Sequence, residues 1–213
     1  MTDSAWPLRL SAVLLAAGAG ARMGHRPKCL LQLDGVALVR RLADALLQAG
    51  VSETVAVLGH YAQAIEPALA GTAVRCVLNP SPDDGQTSSV ILGLQALSEE
   101  SDAFMVVLSD QPLIGPAQLR ALIRAYLARP AAAEVVQPYV DGLPGNPVLF
   151  SQHVRRQILA QGLGCRQWQA AHPDRVHAWQ TTDPAYRMDL DTADDLATIR
   201  RQAGLVLVWP DGL

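Results

Sequence analysis

Cysteine is scarce in this chain. The three present, Cys29, Cys76 and Cys165, are widely spaced and odd in number. That excludes a disulfide framework and a metal knuckle, and points to a reducing compartment. Long apolar runs are missing as well, since no stretch reaches the length that spans a bilayer. Leu10 to Ala21 is apolar and rich in small residues like a leader, but Asp3 and Arg9 precede it and it merges into a glycine loop. It therefore reads as part of the folded body. Positive charge is not in excess. A formal net charge of -3 argues against a nucleic-acid or anionic-membrane surface. The five histidines are scattered, and none pairs with Cys, His or an acid at ligand spacing. There is no glycine-flanked serine elbow, and Cys165, between Gly164 and Arg166, reads as structural. Internal repeats, low-complexity tracts and linkers are absent. What remains is a cytoplasmic protein of one domain, residues 1–213, with 50% hydrophobic content to build a core.

Strand and helix patterns alternate along it. Apolar runs of strand length are Ala12–Leu15, Thr54–Leu58, Val74–Leu78, Ala103–Leu108 and Glu134–Tyr139. Between them lie helical periodicities at Val36–Ala49, Tyr61–Leu69, Thr87–Leu97 and Pro116–Leu127, the last with Pro in its first turn. Continuous apolar strands separated by helices predict a mostly parallel sheet covered on both faces, with ligands beyond the carboxyl ends of the strands. Asp141-Gly142 is a hairpin signal, and Gly145 to Phe150 a loop entering a strand. Val154–Ala160 is helical until Gly162 and Gly164 break it. Tyr186–Asp191 predicts a final strand, with Thr192 capping a helix through Arg200. The apolar tail, Gly204 to Leu213, packs on the body or on a neighbour.

One stretch organises the rest. The run Val13-Leu14-Leu15 stops at Ala16-Ala17-Gly18-Ala19-Gly20-Ala21-Arg22-Met23-Gly24, with Pro27-Lys28 beyond. Glycines let a backbone approach a polyanion and turn its amides toward the oxygens. Arg22 adds a planar fork and Lys28 a mobile point charge. The standard phosphate loops do not fit. A Walker loop needs Gly-Lys followed by Ser or Thr, whereas Gly24 precedes His25 and Lys28 precedes Cys29. A dinucleotide fingerprint needs a third glycine where Met23 stands, and an acid where the second strand ends in Gly59-His60.

Asp110 ends the run Phe104 to Ser109, so it projects from the carboxyl edge of the sheet, opposite the loop. A carboxylate there offers Mg²⁺ the hard oxygen it needs; it would otherwise cap the helix beginning near Gly115. Asp189 and Asp191 flank Leu190 and, at strand period two, share one face. They make a second hard-ion site, or Asp191 and Thr192 simply start the last helix. Asn79-Pro80 and Asp83 to Ser89 form a polar strand-to-helix loop able to hydrogen-bond a base or ribose. An ordinary helix cap would look the same.

The opening Leu15-Ala16-Ala17-Gly18 through Arg22-Met23-Gly24 and Lys28, with Asp34-Gly35 beyond, resembles the MobA-like nucleotidyltransferases, and among them the molybdenum cofactor cytidylyltransferases. Gly85 to Val90, Ser109 to Ile114, Gly145 to Phe150 and Asp189 to Leu196 match later blocks of that family in order. The resemblance implies a Rossmann-like three-layer α/β/α domain with a mostly parallel sheet, of the nucleotide-diphospho-sugar transferase kind. It implies that Leu15, Ala16, Ala17, Gly18, Gly20, Arg22 and Lys28 hold a nucleoside triphosphate, with Ser88 and Ser89 at the base. It places Mg²⁺ on Asp110, with Asp189 and Asp191 on the metal side, and the acceptor at Gln111, Pro112, Gly145, Asn146 and Asp189. Ala17 resembles the cytidylyl branch, because guanylyl-transferring relatives usually carry glycine there. Two departures fall on the acceptor side: Asn146 stands where the family often has histidine, and Gln161-Gly162-Leu163-Gly164-Cys165-Arg166 replaces a Gly-Asp-x-Gly-Ala-Arg run.

The expected reaction is CMP transfer from CTP to a phosphate-bearing acceptor, by analogy molybdopterin, with Arg22, Lys28 and Asp110 as the catalytic residues. A molybdenum hydroxylase or its chaperone is the implied protein partner. Rival readings are the use of GTP, a polyol or sugar phosphate acceptor, a non-catalytic nucleotide-binding partner of a molybdenum enzyme, or a nucleotide-binding oxidoreductase.

Overall fold

The computed structural model describes residues 6–210 and 212. Asp3, and Asp211 and Leu213 of the tail, lie outside the described residues. The first strand, β1 (Leu10–Ala16), is buried along its whole length. Leu10, Ala12, Leu14 and Ala16 face one apolar cluster while Val13 and Leu15 face another, as period-two alternation in a sheet covered on both sides requires.

The chain continues through β2 (Gln32–Leu33), β3 (Val36–Ala37), α1 (Leu38–Gln48), β4 (Glu53–Leu58), α2 (Ala62–Ile65), β5 (Arg75–Leu78), α3 (Gln86–Ala96), β6 (Ala103–Leu108) and α4 (Pro116–Leu127). It then forms β7 (Val135–Val140), β8 (Leu143–Pro144), β9 (Val148–Ser151), α5 (Gln152–Gln161), α6 (Cys165–Ala171), β10 (Val176–Gln180), α7 (Ala193–Ala203) and β11 (Leu207–Val208). The main sheet runs β10-β7-β9-β6-β1-β4-β5, with β8 beside β7. Pairs β1–β4, β1–β6, β4–β5 and β10–β7 are parallel, whereas β9 enters antiparallel between β6 and β7. Helices α1 and α4 pack on one face, and α3, α5 and α6 on the other. The result is the three-layer α/β/α arrangement with a mostly parallel sheet.

Register sets the site. Leu15 lies opposite Leu108 on β6 and Val57 on β4, so the Gly18 loop and Ser109-Asp110 leave neighbouring strands at the same edge. A separate sheet, β11-β2-β3, joins the tail to the body. With α7 it packs Leu190, Ile199, Leu205, Leu207 and Trp209 around Met23, Leu31 and Leu38.

Several expected elements differ. Tyr186–Asp191 is not a strand: Pro184–Arg187 is a 3-10 turn, and the chain beyond it makes single backbone bonds to loops. Asn146 N donates to Tyr186 O at 2.8 Å and Leu190 N to Asp110 O at 2.9 Å. The helix expected from Val36 begins at Leu38, because Val36–Ala37 pair with β2. That expected over Tyr61–Leu69 gives way at Glu66 to a 3-10 turn containing Pro67, which has no N–H to continue the α pattern. Gly162 and Gly164 break the helix as expected, but a further short helix, which was not expected, follows them. Gly162 is the left-handed C-cap of α5, and Gly164 is the N-cap of α6.

Candidate active site

The loop after β1 is a set of tight turns. Gly20 has φ +61° and Gly24 φ +72°, a region that side chains with a Cβ avoid. A Cβ on Gly20 would also collide with the carbonyl oxygen of Arg26. Met23 N and His25 N both donate to Gly20 O, at 2.8 and 3.1 Å. Tyr61 pins the loop from the start of α2, its hydroxyl reaching Ala19 O at 3.0 Å and His25 O at 2.6 Å. Met23 is anchored in the tail-side cluster. Its neighbour Arg22 is exposed at the cavity rim, beside Lys28.

Four charges meet at the mouth of the sheet. Lys28 Nζ lies 2.9 Å from Asp110 Oδ2 and 2.9 Å from Asp191 Oδ1, while Arg22 Nη2 lies 2.9 Å from Asp191 Oδ2. Burial pulls the Lys28 ammonium down, but the Asp110 charge and the hydrogen bonds to Asp110 and Asp191 outweigh it, leaving the pKa raised. Lys28 is therefore a full cation at neutral pH. The other Asp110 oxygen, Oδ1, is buried and has no hydrogen-bond partner among the described residues. Asp110 does not cap the following helix, whose N-cap is Gly115, its N–H donating to Gln118 Oε1 at 3.2 Å. Asp191 is not spent on α7 either, since Thr192 is that cap and Asp195 its box partner.

Asp189 stands apart from these contacts. Its Oδ1 accepts from Gln111 Nε2 at 3.1 Å. Desolvation first, then the Asp110 charge, pushes its pKa up to about 6. The described residues contain no group of three acids or other ligands spaced for one metal ion. The convergent pair is Asp110 and Asp191, in place of the expected trio with Asp189. Hard carboxylate oxygens, one of them buried and unpartnered, suit a small divalent cation such as Mg²⁺.

A cavity of about 380 Å³ is lined by the expected Leu15, Ala16, Ala17, Gly18, Gly20, Arg22, Lys28, Ser89, Asp110 and Asp191. Ser88 is absent from this lining; its hydroxyl donates to Gly85 O at 2.8 Å and receives from Asn79 Nδ2 at 2.9 Å. A second cavity of about 550 Å³ shares Gln86 and Leu108 with the first. Asn146 lines it, together with Gln137, Tyr139, Arg166, Gln167 and Gln169 over an apolar floor that includes Val106, Val148 and Phe150. The other expected acceptor residues support the walls instead. Gln111 and Pro112 are buried. Gln111 Nε2 also reaches the carbonyls of Asn146 and Tyr186, at 3.3 and 3.4 Å. Gly145 is pressed against the Tyr186 backbone, where a Cβ would not fit. The amides of β7 and α6 and the loop-pinning Tyr61 escaped the sequence reading. Only Arg166, beside the Gly162/Gly164 break, offered a signal.

A model of the MobA-like NTP transferase domain matches residues 12–176. The chain belongs to this family. As a MobA-like protein it is a nucleotidyltransferase, and one solved neighbour carries the same description. A nucleotidyl transferase from Methanothermobacter thermautotrophicus superposes with a TM-score of 0.75 at 28% identity, covering 92% of this chain and 97% of that one. Rv0371c from Mycobacterium tuberculosis superposes at 0.76 and 26% identity, covering 92% and 100%, and has also been solved in complex with manganese. Nicotine blue oxidoreductase from Paenarthrobacter nicotinovorans is 29% identical over 88% of this chain and 94% of its own length. GlmU from Sorangium cellulosum is 37% identical over 54% of this chain, a match spanning only 26% of that bifunctional protein.

Proposed function

We propose that this MobA-like protein, as one nucleotidyltransferase domain, transfers CMP from CTP to the phosphate of molybdopterin and releases pyrophosphate. The observation that carries the reading is the cavity in which the Gly18–Lys28 loop faces Asp110 and Asp191. Amides and cations suited to a triphosphate stand opposite paired carboxylates suited to a divalent ion. Ala17 in that lining supports the pyrimidine nucleotide, following the resemblance to cytidylyl transferases.

In this mechanism an acceptor phosphate oxygen attacks the α-phosphorus, a new P–O bond forms, and the bond to the β-phosphate bridging oxygen breaks. A phosphomonoester has its second pKa near ~6, so the nucleophile is already ionised at neutral pH and no general base is needed. The protein's work is alignment and charge neutralisation. Glycine-loop amides hold the triphosphate, and Arg22 and Lys28 swing from their carboxylates onto its oxygens. Asp110 and Asp191 would hold Mg²⁺, which would supply further neutralisation of phosphate charge. The adjoining cavity receives the acceptor. Its side-chain amides match the donor and acceptor edges of a heterocycle, and Arg166 supplies a cation.

A second reading, nucleotide-dependent redox chemistry, is favoured by the Paenarthrobacter relative, which is named an oxidoreductase. Thermal shift separates the two, because a ligand stabilises by mass action only the protein that binds it. CTP with Mg²⁺ raises the melting temperature, whereas GTP, NADH and NADPH do not. Stabilisation by NADPH with none by CTP overturns the proposal.

A further inference from the structure

Arg22, Asp191, Lys28 and Asp110 form one continuous chain of alternating charge. Lys28 is its centre, touching both carboxylates, and only 18% of its side chain is exposed. The chain sums to zero, so the groups suited to phosphate and those suited to a metal ion neutralise each other. Resting on the assignment of Asp110 and Asp191 to the metal, we propose that Lys28 is their internal counter-cation and couples metal binding to triphosphate binding.

The reasoning is electrostatic. A divalent ion entering by itself displaces a partly buried ammonium and leaves it without a partner, beside an added double charge. A triphosphate entering by itself meets two carboxylates at close range. When both enter, every charge exchanges one opposite partner for another: the carboxylates take the metal, and Lys28 and Arg22 take phosphate oxygens. Each ligand therefore strengthens the other, and by linkage the factor is reciprocal. Asp110 Oδ1, buried and unpartnered, is the oxygen that Lys28 leaves unsatisfied.

Mn²⁺ binding without nucleotide, followed by electron paramagnetic resonance of the free ion, tests this directly. Lys28→Gln removes the competing charge and keeps a polar group, so Mn²⁺ binds about tenfold tighter than to wild type, within the range of ordinary coupling. Adding Asp110→Asn abolishes that gain. Lys28→Met serves the same purpose should circular dichroism show the Gln variant misfolded. Unchanged or weaker Mn²⁺ binding in the Lys28 variants, with Asp110→Asn still weakening it, overturns the coupling role and leaves the carboxylate assignment standing. Mn²⁺ binding indifferent to Asp110→Asn in both backgrounds overturns the metal assignment and the coupling with it.

Discussion

Gln111 holds Asp189 by one hydrogen bond, Nε2 to Oδ1 at 3.1 Å, and so fixes a carboxylate just behind the two that meet Lys28. Desolvation and the Asp110 charge raise the Asp189 pKa to about 6, against an ordinary value of about 3.9. The folded protein therefore binds this proton more tightly than the unfolded chain, so stability falls as pH rises from about 4 to about 6 and is level above. Asp189→Asn removes that contribution. Urea denaturation should find the variant gaining stability relative to wild type at pH 7 and gaining less at pH 4.5. An equal difference at both values contradicts the assignment.

Gly20→Ala introduces a Cβ at φ +61° against the Arg26 carbonyl. Left-handed backbone alone costs about 1–2 kcal/mol for such a residue, and the collision adds to it. The variant is expected to melt lower and to lose most of its thermal shift with CTP and Mg²⁺, because the loop amides no longer point together. Full retention of the shift means that the loop does not hold the nucleotide.

Arg155 predicts a purely structural effect. Its buried guanidinium donates to the carbonyls of Leu94 at 3.0 Å, Leu97 at 2.6 Å and Ser98 at 2.8 Å, closing the C-terminal end of α3. Arg155→Met leaves those carbonyls without a donor, at roughly 1–3 kcal/mol for each buried group left unsatisfied. Chemical denaturation should register a loss of this order, with the CTP-induced shift preserved.

Lys28→Ala and Asp110→Asn are each expected to lower turnover by about 10²-fold or more, the size typical of losing one preorganised stabiliser. Circular dichroism should show an unchanged fold. Wild-type turnover in purified Asp110→Asn removes that residue from the reaction.

How far the sequence spoke for itself depended on whether local pattern or distant contact decided each element. Pro116–Leu127 and Ala103–Leu108 form at the expected residues, since an N-terminal proline and a continuous apolar run are local signals. The strand Val176–Gln180 was not legible. Among the described residues it is an edge strand paired with β7 alone, and His177 and Gln180 dilute its apolar character. The break at Gly162 was legible because a left-handed helix C-cap favours glycine. In the site, Asp110 and the glycine loop were legible because each ends a buried strand. Leu190, between two acids, turns inward without a strand: its backbone N–H bonds Asp110 O and its side chain enters the tail-side cluster. The junction of Asp191 with Lys28 spans 163 positions of sequence, which no local pattern encodes. The amides of the second cavity come from separate elements and carry no shared motif.

The measurement closest to the central claim is pyrophosphate release by the purified protein with molybdopterin, Mg²⁺ and each of CTP, GTP, ATP and UTP in turn. Release with CTP that depends on molybdopterin and stops in Asp110→Asn is the predicted result. Release with GTP alone, or none with any of the four, contradicts it.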